Sequence, residues 1–272
     1  MFDWFTQLSP LGQGLLGGTF TWLMTLAGAG IVFLKKELPG WLLDSMAGFA
    51  GGVMIAASFW SLLSPGIAIA EAQGGLPAWF VAAGGFLLGA GFIRIADLVI
   101  PHFHSGLAKE EGPKSPLHRS TLLFLAMLIH NIPEGLALGV AYGAVASSAD
   151  FALGASLSGA IALTLGIGIQ NFPEGIAVAM PLRKAKLSRW KCFHAGHGSA
   201  LVEPISALIG AWLVLNISGI LPWALAFAAG AMIFVVVEDL IPESQAGGRI
   251  DLATSSTLVG FTTMMILDVA LG

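Results

Sequence analysis

The sequence predicts an all-α integral membrane protein, an eight-helix bundle whose fourth and fifth helices carry proline interruptions. Three observations lead there. Only 10% of the 272 residues are charged while 56% are hydrophobic, and the mean hydropathy is +0.84; a soluble domain carries about 25% charged residues. The apolar stretches are long enough for helices of roughly 20 residues, the length that crosses a bilayer. Threading eight such helices places all 12 Lys and Arg on one side.

The helices are read at 12–34, 42–64, 76–100, 120–144, 153–182, 192–215, 221–241 and 252–271. The first charge is Asp3 and no basic stretch precedes helix 1, so helix 1 is expected to be retained as a span, not cleaved as a leader. Lys35 and Lys36 follow it. Arg94, Lys109, Lys114 and Arg119 end helix 3, fill the next connection or open helix 4. Arg183, Lys184, Lys186, Arg189 and Lys191 join helices 5 and 6, and Arg249 joins helices 7 and 8. The opposite connections, around Glu71, Asp150 and Asn216, carry no cation. Under the positive-inside rule the expectation is a multi-pass cell (inner) membrane protein with both termini outside and the basic loops in the cytoplasm. A wrong helix count would scatter the cations over both sides.

The 36 glycines, with abundant alanine, are expected to allow close helix packing. One membrane domain, 1–272, accounts for the chain. Its longest connection, about 101–119, is polar, rich in Gly and Pro, and expected to be flexible. The single cysteine, Cys192, cannot form an intrachain disulfide. The lipid bilayer is the expected surrounding, no nucleic-acid partner is expected, and a homodimer is left open.

Two hexapeptides, His130-Asn131-Ile132-Pro133-Glu134-Gly135 and Gln170-Asn171-Phe172-Pro173-Glu174-Gly175, lie 40 residues apart in apolar stretches. An ionisable residue in such a place is a functional-site hypothesis by default. Each proline also frees a carbonyl four residues earlier, on Ile129 and Ile169. His130, Asn131 and Glu134 share a helix face at spacings of three and four, and Gln170, Asn171 and Glu174 repeat the arrangement. Glu134 is 15 residues from Arg119, Glu174 is 9 from Arg183 and Glu203 is 12 from Lys191. These separations put the three carboxylates roughly 13–22 Å from the basic side of a core ~30 Å thick. Convergence on a divalent cation relieves their cost; the alternative is a proton-sharing carboxylate cluster. One imidazole among oxygen donors, with no cysteine, suits an ion that is released again rather than a tight structural zinc. Up to six protein donors, with two bridging carboxylates, leave room for two adjacent metals.

Carried by these motifs, by Val202-Glu203-Pro204, by Phe227-Ala228-Ala229-Gly230-Ala231-Met232 and by Leu267-Asp268, the sequence resembles the ZIP family of divalent-metal transporters, in its GufA-like branch. The resemblance extends over essentially the whole chain. It implies eight helices, outward-facing termini and a transport site between helices 4 and 5 with contributions from helices 2 and 6. A first metal position would then use His130, Glu134, Gln170 and Glu174, with Met54 nearby. A second, bridged one would use Asn131, Glu134, Asn171, Glu174 and Glu203. Asn171 stands where many family members have an acid or a histidine, which weakens the second position. Gln170 stands where many have a histidine, which loosens zinc selectivity.

Other polar residues have plainer readings. Ser61 is seven residues from Met54 and shares its face, a candidate for the pathway. Asp97, His102 and His104, with Glu238, Asp239 and Glu243, are either solvated helix ends or a cytoplasmic exit or regulatory metal site. Asp97 can also pair with Arg94 three residues earlier. His194 and His197 point away from Glu203, Asp268 reads as a solvated or packing carboxylate, and Glu71 as a weak attractor of cations at the outer mouth. The residues favour a transporter, not an enzyme: a divalent cation, zinc foremost with iron, manganese or cadmium as alternatives, is moved as substrate into the cytoplasm. An intramembrane metal-dependent hydrolase is the alternative, but His-Glu-x-x-His is absent. A carrier of organic substrates would want a cation at depth, and no Lys or Arg reaches mid-membrane.

Overall fold

The computed structural model describes residues 3–104, 109–147, 155–217 and 219–271. After a single helical turn at Asp3–Thr6, eight helices long and apolar enough to cross a membrane follow. They are α1 (Pro10–Leu34), α2 (Gly40–Gln73), α3 (Ala78–Val99), α4 (Arg119–Ser147), α5 (Leu157–Lys184), α6 (Arg189–Asn216), α7 (Leu221–Gln245) and α8 (Ile250–Leu271). Local chemistry sets their ends. Ser9, Ser156 and Ser188 each accept a hydrogen bond from the backbone N–H three residues on, capping α1, α5 and α6. Pro39 and Pro77 precede α2 and α3 in extended geometry. At the far end of α2, Gly74 takes φ 68°, a left-handed stop that favours glycine.

The prolines do not break α4 and α5 as the motifs suggested. Pro133 and Pro173 sit inside helices that run through them. The irregular turns lie elsewhere, each just before another proline. In α2, Ser58–Leu63 widens to π geometry ahead of Pro65, which has no N–H to donate to the preceding turn. Val236–Leu240 of α7 widens in the same way ahead of Pro242. In α6, Ser199–Leu201 tightens to 3-10 geometry ahead of Pro204. Sequence-stretch 101–119 is not wholly irregular either. His102–His104 (β1) and Lys109–Glu111 (β2) pair antiparallel with Phe103 opposite Glu110, and the Phe103 ring is buried. The expected start of helix 5 at 153, the Asp150 connection and the centre of the 101–119 connection lie outside the described residues.

Eight helices resolve into two groups of four. Reciprocal glycines fix the pairs: at each of these positions an added Cβ would overlap the partner helix's backbone. Gly28 meets the Phe172 carbonyl while Gly175 meets that of Thr25, locking α1 to α5. Gly139 and Gly210 do the same for α4 and α6, against Ala207 and Leu136. Gly52 with Gly260 ties α2 to α8, and Gly89 with Gly230 ties α3 to α7. Gly18 against Pro204 then joins α1 to α6, and Gly51 against Leu240 and Val236 joins α2 to α7. The groups are therefore α1, α4, α5, α6 and α2, α3, α7, α8. Among the described glycines only Gly166 of α5 faces across the seam, and it meets the side chain of Met264, not backbone. Each of the four helix pairs is bolted by backbone contact, whereas the described glycine at the seam between the groups meets a side chain.

Candidate metal centre

The motif residues meet at one level inside the first group. His130, Asn131, Glu134, Gln170, Asn171, Glu174 and Glu203 are all buried, none more than 7% exposed. Gln170 Nε2 donates to Glu134 Oε1 at 2.6 Å. Glu134 and Glu174 are interacting neighbours in the buried centre, and two carboxylates brought together there need a proton or a cation. Beside them, Asn171 Nδ2 donates to both oxygens of Glu203 at 2.9 Å. Thr21 of α1 adds a hydroxyl contact to Glu203 Oε2. His130 Nε2 turns to Asp239 Oδ2 of α7, 2.9 Å away, so one close polar contact of the centre crosses the seam.

Six buried polar atoms at this level have no hydrogen-bond partner: Asn131 Nδ2 and Oδ1, Glu134 Oε2, Gln170 Oε1, Asn171 Oδ1 and Glu174 Oε2. Leaving a buried polar atom unpartnered costs about 1–3 kcal/mol, so a cluster of six calls for a ligand. Five are oxygens. That donor set, with an imidazole at its edge, fits a divalent cation carried as substrate. Among the described residues no three His, Cys, Asp or Glu side chains already close on one ion-sized point. The reason is visible in the contacts: Asp239 holds His130, Thr21 and Asn171 hold Glu203, and the Gln170 amide holds Glu134.

A cavity of ≈ 40 Å³ reaches the centre from the end of the bundle that carries the basic connections, lined by His130, Glu174, Asp239, Glu243, Phe103 and Met127. A second, also ≈ 40 Å³, meets Glu174 and Glu243 from the side of Met46 and Pro181. At the opposite end, a cavity of ≈ 240 Å³ is lined by Ser61, Asp268, Trp60, Ala141 and Ser156. The helix stretches between that cavity and Glu134 carry Met54, Leu138, Leu163 and Ile167, all in the apolar core and at most 1% exposed. Among the described residues, the cavities that touch the centre lie toward the basic end, and apolar core side chains stand between it and the wide cavity.

Sequence reading placed some residues differently. Met54 sits in that apolar layer. Asp268 is neither solvated nor simply packed: it is buried and accepts from Ser61 Oγ at 2.6 Å, so Ser61 and Asp268 form one polar site in the wide cavity. Arg94 does not pair with Asp97 but approaches Glu238 at 4.0 Å. Asp97 instead lies 3.5 Å from His102 Nε2, while His102 Nδ1 meets the Ile100 carbonyl at 2.8 Å; both side chains are about 1% exposed, inside the bundle rather than in a solvated loop. The His104 side chain lies outside the described residues. Glu71 is exposed. One partner went unnoticed in the sequence: Thr21 gave no signal, because threonine is ordinary in an apolar helix. Asp268 gave one, an acid in an apolar segment, although on sequence it reads as solvated or packing.

The residues matched by the family described as "ZIP Zinc transporter" run from 108 to 268 and cover the motifs of α4, α5, α6 and α7. Similarity to individual proteins extends further. "Zinc transporter ZIP11" of Homo sapiens is 40% identical over 341 aligned residues, covering 97% of this chain and 98% of the human protein. The chain belongs to the ZIP family. "Zinc transporter GufA" of Myxococcus xanthus is 37% identical over 96% of this chain and 100% of its own length. "Zinc transporter ZIPB" of Bordetella bronchiseptica is 35% identical over 96% and 82%. Membership of the ZIP family makes this a transporter rather than an enzyme, and the hydrolase alternative receives no support. The eight apolar helices make it a multi-pass membrane protein.

Proposed function

We propose that the protein carries zinc and related divalent cations into the cytoplasm through the Glu134–Glu174 centre. The observation that carries the reading is the cluster of unpartnered oxygens around those two carboxylates, met by a cavity from the basic end of the bundle. Similarity to proteins named zinc transporters favours zinc as the cargo. An ion arriving from the opposite end would pass the Ser61–Asp268 pair, cross the apolar layer of Met54, Leu138, Leu163 and Ile167, and replace its water shell with the oxygens of Glu134, Glu174, Gln170 and Asn131. His130 completes the set once it leaves Asp239. Release then runs past Asp239 and Glu243, with Asp97, His102 and Glu238 beyond.

With the basic connections in the cytoplasm and both termini outside, the observed arrangement is the cytoplasm-facing one. Access alternates by one four-helix group moving against the other, because glycine-to-backbone contacts lock the helix pairs inside each group while the glycine at the seam meets only a side chain. A single ion is the expected load. Glu203 already has Asn171 and Thr21 on its oxygens, so the second position is available only when those contacts break. Uptake into proteoliposomes tests the reading, with Zn²⁺ competed by Fe²⁺, Mn²⁺ and Cd²⁺. Zinc uptake that survives loss of either central carboxylate would overturn it.

A further inference from the structure

Seven of the 12 Lys and Arg lie in two short stretches separated by about 150 positions: Lys35 and Lys36, and Arg183, Lys184, Lys186, Arg189 and Lys191. Tertiary structure joins them. Phe33, two residues before Lys35, sits edge-on to Trp190 with ring centroids 5.0 Å apart, and 5.3 Å from Phe193. Arg183 turns inward and donates to the Leu187 carbonyl at 3.0 Å. The other six are exposed, and among the described residues none of them makes an ion pair. Glu37 is the only carboxylate in either stretch. The second helix group differs: Arg94 approaches Glu238 and Arg249 pairs with Asp44 at 2.8 Å. Among the described residues, unpaired positive charge is concentrated at the α1–α5–α6 corner.

Its depth identifies the partner. The spans end at Leu34 and Lys184, and the next begins at Arg189, so the six cations ring the boundary of the apolar layer. Leu34 (77% exposed) and Trp190 (63% exposed) offer apolar surface at the same level, and tryptophan favours that interface. A partner that presents phosphate at the edge of hydrocarbon matches both features; a soluble anion matches only the first. We infer that this corner is a seat for the headgroups of anionic phospholipids such as phosphatidylglycerol. The seat stands on the helices that hold Glu134 and Glu174, so the bound lipid anchors that group to one leaflet.

The test uses the whole protein, purified in neutral detergent and titrated with phosphatidylglycerol, phosphatidylcholine or inorganic phosphate while thermal unfolding is followed. Phosphatidylglycerol alone is expected to raise Tm in a saturable way. Replacing Lys35, Lys36, Lys184, Lys186, Arg189 and Lys191 by Gln should weaken the apparent lipid affinity at least about tenfold. Zinc binding measured by calorimetry should stay unchanged. The pairs K35Q/K36Q and R189Q/K191Q, made separately, should each give part of the loss and keep the inference testable if the sixfold variant does not fold. An equal shift with phosphatidylcholine or with phosphate alone would overturn it, as would an undiminished phosphatidylglycerol response in both pair variants.

Discussion

Glu134 and Glu174 are the residues on which transport turns. Each has one oxygen without a partner, and the two carboxylates interact with each other in the buried centre. Glu134→Ala and Glu174→Ala are expected to abolish zinc uptake while the purified variants keep wild-type helicity by circular dichroism. Normal uptake in either would remove the centre from the pathway. Protons must compete with the metal, because His130 binds it only when neutral and the carboxylates only when ionised. As external pH falls from about 7 to about 5, through the ordinary histidine range near 6.5, the zinc concentration for half-maximal uptake should rise. A flat profile over that range would argue against His130 as a ligand. His130, Glu134, Gln170 and Glu174 were legible as candidates because their motifs put polar groups at helical spacing in apolar surroundings. Thr21 was not, since what singles it out is its contact with Glu203, 182 residues away.

Among the elements, α4 and α6 show how the fold uses glycine. Gly139 brings the α6 backbone so close that a methyl group has no room beside the Ala207 carbonyl. Gly139→Ala should therefore lower stability by about 1–3 kcal/mol, the usual cost of overpacking, seen as a reduced unfolding temperature in detergent. Gly166→Ala meets only the flexible end of Met264 and should cost less than about 1 kcal/mol. Equal losses at the two positions would refute the division between bolted pairs and a soft seam. Proline behaved less simply than its sequence context suggested. Pro133 and Pro173 are absorbed by regular helix, whereas Pro65 and Pro242 follow widened turns that carry Ser61, Glu238 and Asp239.

For the molecule as a whole, the two groups must move past each other if the centre is to face both sides. In a Cys192→Ala background, Gly166→Cys with Met264→Cys places a thiol pair across the seam. Oxidative cross-linking of that pair is expected to stop uptake, and a reductant to restore it. Full transport by quantitatively cross-linked protein would show that the groups need not slide at this seam.

Hydrophobic length and the one-sided distribution of Lys and Arg determined eight spans without reference to any coordinate, because a bilayer restricts what the backbone can do. Helical periodicity determined which side chains share a face in each motif. Tertiary structure alone decided which faces meet. His130 pairs with Asp239 rather than joining Glu134, Ser61 meets Asp268 across 207 positions, and Glu203 is held by Thr21 and Asn171. The sorting of helices into two groups was likewise beyond the sequence. Thirty-six glycines announce close packing, but which backbone each one admits depends on helix crossings, a geometry that one-dimensional spacing does not contain.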